Sequence, residues 1–117
     1  MRIISGALKG KSIRFLKNSN TRPLKNSVKE NIFNILIHSN LIDIKIEKAN
    51  ILDLYSGIGS FGIECISRAA QKVTFIEKDK AAAEILQKNL IQLNIVNKTV
   101  VLNNKIEDIL KFVIKKK

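Results

Sequence analysis

A glycine-rich segment between an apolar run and a candidate helix is the first feature of the sequence that could do chemistry. Gly57, Gly59 and Gly62 form the pattern G-x-G-x-x-G, which begins two residues after the mainly apolar segment 51–55. Glycines at this spacing let the backbone approach a ligand closely, and the following helix points its N-terminus at that ligand. The pattern predicts a site for an adenosine-containing cofactor; the alternative is a turn that only reverses the chain.

Two carboxylates near the glycines bear on the class of cofactor. Asp53 lies four residues before Gly57, and Glu77 lies twenty residues after it, each at the end of a predicted strand. An acid in the second position can accept hydrogen bonds from the ribose hydroxyls of an adenosine cofactor. Asp53 would repel the pyrophosphate of NAD but attract the ammonium and sulfonium groups of S-adenosylmethionine. We therefore favour S-adenosylmethionine over a nicotinamide dinucleotide.

The positive charge of the chain is concentrated at its ends. The net charge is +11, and residues 1–29 carry eight Lys and Arg side chains and no acid. Residues 30–110 carry nine positive and ten negative side chains, and residues 111–117 carry four positive ones. A basic arm of this kind is typical of nucleic-acid binding, because each cation that meets a phosphate releases a condensed counterion.

The first part of the chain divides at residue 26. Residues 1–26 form the basic arm, in which 2–16 alternate apolar and polar residues as in a short hairpin, and 17–26 are typical of a loop. A helix is predicted over 27–38, with one apolar face that we expect to be buried. That face consists of Val28, Ile32, Ile35 and Leu36.

The remainder, within 27–117, becomes a regular alternation of strands and helices from about residue 50. Segments of strand character occupy 51–55, 73–76 and 99–102, and a helical pattern follows each of them. Strands that alternate with helices indicate a parallel sheet with helices packed on it. The sequence therefore predicts an α/β fold with three consecutive parallel strands.

Composition excludes several classes of protein. The chain has 117 residues, of which 45% are hydrophobic, and its mean hydropathy of +0.03 argues against disorder throughout. No apolar run approaches the roughly 20 residues of a membrane span, and residues 1–6 are too polar for a signal peptide. The single cysteine, Cys65, excludes an internal disulfide and a multi-cysteine metal site. We therefore expect a cytoplasmic protein with no metal and no membrane partner.

An ordered series of short motifs extends from residue 1 to about residue 110. Its members are MRIISG (1–6), KGK (9–11), TRP (21–23), VKE (28–30), FNIL (33–36), LDLYSGIG (52–59), GIE (62–64) and SRA (67–69). The series resembles the RsmD-like family of small-subunit ribosomal RNA (guanine-N2)-methyltransferases. This resemblance covers nearly the whole chain and is more specific than any single motif in it.

The resemblance implies a Rossmann-like, S-adenosylmethionine-dependent methyltransferase fold that acts on ribosomal RNA or the small ribosomal subunit. The cofactor-binding residues that it implies are Asp53, Gly57, Gly59, Glu77 and Asn104. Asn104 falls near the position that flanks the adenine, where the family more often has an aspartate. The RNA-binding residues that it implies are Arg2, Lys9, Lys11 and Arg22.

One motif of the family is absent from the sequence. The resemblance assigns the orientation of the guanine amine to an Asp/Asn-Pro-Pro-Phe/Tyr motif after the fourth strand. The only proline is Pro23, in the basic arm. We therefore expect no catalytic residue here, and interpret the chain as the N-terminal portion of such an enzyme: a truncated product, a frameshifted fragment, or half of a split enzyme completed by a second chain. The strand at 51–55 would then be an open sheet edge.

Two other functions stay open. The chain could be a non-catalytic RNA-binding module that uses the basic arm, or a fragment that binds an NAD-type dinucleotide.

Overall fold

The computed structural model of the protein describes residues 1–15, 26–38 and 45–109. Three strands alternate with helices along the chain. The elements are α1 (Asn26–His38), β1 (Asn50–Leu54), α2 (Ser60–Ser67), β2 (Lys72–Ile76), α3 (Lys80–Gln92), a 3-10 turn (Val96–Lys98), β3 (Thr99–Leu102) and a helical turn at 106–109. The alternation of strands and helices agrees with the sequence prediction, and each end of the three strands lies within one residue of its predicted position.

The three strands form one parallel sheet in the order β1-β2-β3. In its register, Asp53 stands beside Phe75 of β2, and Phe75 beside Val101 of β3. Val73 and Phe75 are fully buried and pack with α2 and α3, the two helices that the hydrophobic spacing placed on the sheet. A Cβ atom at Gly62 would strike the Phe75 ring, so this glycine permits the close packing of α2 on β2.

Within the described residues, β1 has a single neighbour, β2, and forms an edge of the sheet. Leu52 and Leu54 point to the sheet face away from α2 and are 59% and 41% exposed. The predicted open edge at 51–55 is therefore present in this part of the chain, and one side of it is apolar.

Helix α1 begins at Asn26, one residue before the predicted start, and ends at the predicted His38. Its predicted buried face is wrong in part, because Val28 and Ile35 are 43% and 57% exposed. Lys29 and Phe33, four residues apart, are fully buried instead. A lysine can occupy that position because an acid on α2 pairs with its ammonium group.

Residues 1–13 form the predicted ribbon. Arg2 and Ser12 make an antiparallel bridge, Ile3 N–H donates to Lys11 O at 2.9 Å, and Ile13 N–H donates to Met1 O at 3.0 Å. The side chains of Ile3 and Ile13 are buried in the core. The loop predicted over 17–26 falls almost wholly outside the described residues, so the division of the chain at residue 26 stays a prediction.

Candidate functional site

The glycine turn joins β1 to α2 in a conformation that favours glycine. Gly57 and Gly59 have φ values of 57° and 93°, in the left-handed region that L side chains disfavour. A Cβ atom at Gly59 would collide with Leu86 of α3, so this glycine lets the turn lie close against that helix. A Cβ atom at Gly57 would meet nothing within 4 Å, so this position faces open space in which a ligand could lie.

Glu77 lies against the glycine turn although twenty residues separate it from Gly57. The Gly57 N–H donates to Glu77 Oε1 at 2.7 Å, and the Asp79 N–H donates to Glu77 Oε2 at 2.8 Å. Glu77 is 6% exposed, so the two backbone donors stabilise a carboxylate that burial alone would disfavour. Asp79 also caps α3, as its position predicts, by accepting from Ala82 N–H at 2.9 Å.

Asp53 approaches the same turn from the end of β1. Its Oδ2 atom accepts from the Gly62 N–H at 3.2 Å. The pKa of Asp53 is raised from 3.8 to about 6: burial is the largest cause, the hydrogen bond from Gly62 opposes the rise, and the charge of Glu77 adds to it. The two acids therefore make the carboxyl end of the sheet electronegative, and a cation placed there would be attracted.

Ser56 fixes the strand ends that carry the two acids, and it is a residue that the sequence analysis missed. Its Oγ atom donates to Asp53 O at 2.6 Å and accepts from Ile76 N–H at 3.1 Å. Its backbone N–H donates to Ile76 O at 2.9 Å. Ser56 thus joins the two strands two residues after Leu54, the last residue of β1 in the ladder. Its position directly before the first glycine was the signal that could have indicated it.

Asn104 follows β3 at the same carboxyl end of the sheet. It is exposed and lines a small cleft with Tyr55 and Ile76. The neighbouring Asn103 is turned to the backbone instead, and its Nδ2 atom donates to Glu77 O at 2.8 Å. Tyr55, which has a φ of 55°, borders this cleft. It is 70% exposed and is therefore not part of the core.

In the part of the basic arm that the structure describes, the cations are exposed to solvent. Arg2, Lys9 and Lys11 are exposed and form no ion pair within the described residues, and Arg2 Nη1 donates to Gly10 O at 2.9 Å. Arg22 lies outside the described residues. Lys29 belongs to the core, so one of the eight positive charges counted in residues 1–29 is unavailable to a phosphate.

Glu64 of α2 attaches the arm to the core. Its two carboxylate oxygens accept from Ile4 N–H at 2.9 Å and Ser5 N–H at 3.0 Å. They also pair with Lys29 Nζ at 3.3 Å and Arg68 Nε at 3.0 Å. Burial would raise the pKa of Glu64, but these four partners outweigh it and hold the pKa below its usual range. No spacing rule predicts this role.

The remaining reactive side chains have no chemical role at this site. Cys65 is buried, and its pKa is raised to about 12 by burial and by the charges of Asp53 and Glu64. Its thiol is therefore not a nucleophile at neutral pH. His38 is exposed at the end of α1. In the described ranges, His, Cys, Asp and Glu side chains make no group of three that could hold a metal ion.

Helix length in the described part of the chain bears on the membrane question. None of the helices there is both long and apolar enough to cross a bilayer.

The fold and the two acids at the glycine turn define the class of protein. Three parallel strands, with the turn after the first and an acid after the second, form part of a Rossmann-like methyltransferase fold. The solved structure of yhhF from Escherichia coli aligns with a TM-score of 0.73 at 33% identity, over 90% of this chain and 52% of that one. An RNA methyltransferase from Salinibacter ruber, in complex with S-adenosyl-L-homocysteine, shares the fold at 17% identity with a TM-score of 0.59, over 72% of this chain and 50% of that one.

The chain belongs to the family described as conserved hypothetical protein 95, whose family model matches residues 1–117. The ribosomal RNA small subunit methyltransferase D of Buchnera aphidicola subsp. Baizongia pistaciae is 39% identical over 107 residues, which are 92% of this chain and 52% of that protein. These matches confirm the family resemblance and the fold class. The chain spans about half the length of the curated relatives it matches.

Proposed function

We propose that this chain provides the cofactor site and the RNA-binding arm of an S-adenosylmethionine-dependent methyltransferase. Its substrate would be guanine N2 of small-subunit ribosomal RNA, and a cytoplasmic location goes with that substrate. The observation that carries the proposal is the convergence of two carboxylates, the half-buried Asp53 and the buried Glu77, on the backbone of the glycine-rich segment 57–62.

The residues at the turn fit S-adenosylmethionine. Each carboxylate oxygen of Glu77 accepts one backbone N–H and can accept one donor more, which matches the two hydroxyls of a ribose. Asp53 supplies the negative charge that an ammonium and a sulfonium would neutralise. When bound, this cofactor supplies an electrophilic methyl group. We expect the adenine to lie in the cleft that Asn104 and Tyr55 border.

The same charges disfavour a nicotinamide dinucleotide. Its pyrophosphate would lie on the glycine turn, beside two acids that would repel it. A thermal shift with NAD but none with S-adenosylhomocysteine would reverse this assignment.

We also propose that these 117 residues bind the cofactor but do not catalyse methyl transfer by themselves. The only proline is Pro23, so they contain no Asp/Asn-Pro-Pro-aromatic motif to orient the guanine amine. Such a motif would have to come from further sequence or from a second chain. A methyl-transfer assay on small-subunit RNA should be negative for the chain alone, and turnover there would contradict this part of the proposal.

Calorimetry with S-adenosylhomocysteine tests the cofactor site. We expect the wild-type chain to bind, and we expect Glu77→Gln to bind at least tenfold more weakly, because a hydrogen bond to a charged group is worth about 1.5–3 kcal/mol. Glu84→Gln removes an exposed carboxylate from α3 and is the matched control, which should bind as wild type does. No heat from a folded wild-type sample would refute the proposal.

A non-catalytic RNA-binding module is the second candidate, favoured by the exposure of Arg2, Lys9 and Lys11 on one ribbon. It predicts salt-sensitive RNA binding with no response to S-adenosylhomocysteine. Binding of both ligands would support the methyltransferase, and binding of RNA alone would support the module.

A further inference from the structure

Asn89 of α3 is a buried amide that contacts both the basic arm and the glycine turn. It is 1% exposed. Its Oδ1 atom accepts from Arg14 N–H at 2.8 Å, and its Nδ2 atom donates to Arg14 O at 3.1 Å. The same Nδ2 atom donates to Ile58 O at 3.1 Å, between the first two glycines of the turn. One side chain therefore pairs with the end of the arm as a neighbouring strand would, and holds the turn as well.

Lys29 makes a second connection on the other strand of the ribbon. Its Nζ atom donates to Arg2 O at 3.5 Å and to Ser60 Oγ at 3.2 Å. Ser60 is the first residue of α2 and follows the glycine turn directly. Glu64, which accepts from the arm backbone, neutralises the buried ammonium group at 3.3 Å.

The two connections begin on paired strands of one ribbon and end on the two sides of Gly59. Arg14 follows Ile13, whose N–H is bonded to Met1 O, and Arg2 follows Met1. Hydrogen bonds in a buried environment are strong, and a polar group that loses its partner there is costly. A displacement of the turn would therefore break contacts of the arm, and release of the arm would leave Asn89 Oδ1 without its donor and Lys29 Nζ without Arg2 O.

We propose that Asn89 and Lys29 are positioning residues that couple occupancy of the glycine turn to the order of the RNA-binding arm. The inference rests on the proposed function and adds an energetic link between its two binding sites. A ligand that holds Ile58 and Ser60 in place lowers the frequency at which the arm detaches, so the arm meets an RNA phosphate backbone already in its docked form. Linkage requires the converse: RNA bound to the arm tightens binding of the cofactor by the same factor.

Hydrogen exchange of the wild-type chain, with and without S-adenosylhomocysteine, tests the coupling directly. The backbone N–H groups of Ile3, Ile13 and Arg14 report on arm docking, because each is bonded across the ribbon or to Asn89. We expect them to exchange about tenfold more slowly with the ligand, within the range of about 5–150-fold that coupled sites show. The N–H of Lys98, in the 3-10 turn, should be unaffected.

The two possible failures of this experiment are distinct. No heat of binding in calorimetry would refute the proposed function and the coupling with it. Binding that protects the amides of Gly57–Ser60 but leaves those of the arm unchanged would refute the coupling alone.

A pair of variants separates coupling from simple attachment of the arm. Asn89→Ala removes contacts to both the arm and the turn. Ser67→Ala removes a contact to Leu8 N–H at 2.9 Å and one to Ser5 O, and neither reaches the turn. The quantity measured is the affinity for small-subunit ribosomal RNA with S-adenosylhomocysteine, divided by the affinity without it.

We expect that ratio to be about ten in wild type, to be retained in Ser67→Ala although RNA binding is weaker, and to fall to about one in Asn89→Ala. An unchanged ratio in Asn89→Ala, or an equal fall in both variants, would overturn the proposal. If Asn89→Ala does not fold, the exchange experiment on the wild-type chain decides the question by itself.

Discussion

Replacing Asp53 with asparagine should stabilise the folded protein at neutral pH while weakening its hold on a cationic ligand. The pKa of this carboxyl is raised from 3.8 to about 6, chiefly by burial, with an opposing effect of the Gly62 hydrogen bond and a smaller rise from the charge of Glu77. The carboxylate is therefore harder to ionise in the folded protein than in the unfolded chain. Asparagine keeps an oxygen that can accept from Gly62 and carries no charge.

The pKa gives the magnitude and the pH window of this effect. At about 1.4 kcal/mol for each pKa unit, the difference between 3.8 and about 6 corresponds to about 3 kcal/mol of unfolding free energy. Between about pH 4 and pH 6 the unfolded chain has released the Asp53 proton and the folded protein still holds it. The stability that Asp53 contributes is therefore lost as the pH rises through this window, and the loss is complete above about pH 7.

Urea unfolding of wild type and Asp53→Asn at a series of pH values measures the effect. The unfolding free energy of the variant minus that of wild type should rise from near zero at about pH 4 to about 3 kcal/mol at about pH 7.5. Other titrating groups, Glu64 among them, cancel because the two proteins are compared at each pH. Asp108→Asn, at an exposed position in the helical turn, is the control for replacing a carboxylate with an amide.

The reasoning would be refuted by a difference between Asp53→Asn and wild type that is flat with pH, or by a variant less stable than wild type at neutral pH. Calorimetry on the same samples should show weaker binding of S-adenosylhomocysteine to the more stable variant, because its ammonium group loses an opposite charge. Together the two measurements would establish that this site trades stability for ligand affinity.

Three further predictions concern the core around the site. Glu64→Gln should lower the unfolding free energy by about 3–5 kcal/mol in urea unfolding, because it leaves the Lys29 charge buried without its partner. Since the pKa of Glu64 is lowered in the folded protein, the stability that Glu64 contributes is present above the ordinary pKa of 4.5 and is lost as the pH falls below it. Gly59→Ala should be more destabilising than Gly10→Ala: both positions have positive φ values, but an added Cβ atom collides with α3 only at the former, and equal losses in thermal unfolding would contradict the packing argument. Cys65, with a pKa raised to about 12, should react with a thiol reagent only as fast as the chain unfolds, and rapid labelling of native protein would show that the thiol is accessible.

The sheet and its helices could be predicted from the sequence because their signals are local. The predicted strand at 99–102 and the predicted end of the helix at His38 coincide with the structure, since both follow from the local pattern of apolar and polar residues. The buried face of α1 was not predicted correctly, because hydrophobic spacing assumes that a lysine faces solvent. Lys29 is buried through a carboxylate 35 positions later in the sequence, Glu64, which no local pattern indicates.

The candidate site divides along the same line. Glu77 was predicted to lie near Gly57 because the spacing of twenty residues is a property of the strand-turn-helix-strand unit, and the hydrogen bond of 2.7 Å between them agrees with it. Asn89 was not predicted, because an asparagine on an amphipathic helix has no sequence pattern that distinguishes a buried amide from a solvated one. Its partners lie 75 and 31 positions away, and only the folded chain brings them together.

The long sequence separation of the arm contacts has a consequence for the order in which the protein folds. The arm is the first segment of the chain, yet Ile4 pairs with Glu64 across 60 positions and Arg14 pairs with Asn89 across 75. Closing loops of that length carries an entropic cost that the local βαβ contacts avoid, so we expect the ribbon to dock after the sheet has formed. Substitutions such as Ile3→Val would then speed unfolding and leave the folding rate nearly unchanged. The ribbon precedes the sheet in the sequence but would reach its native place after it.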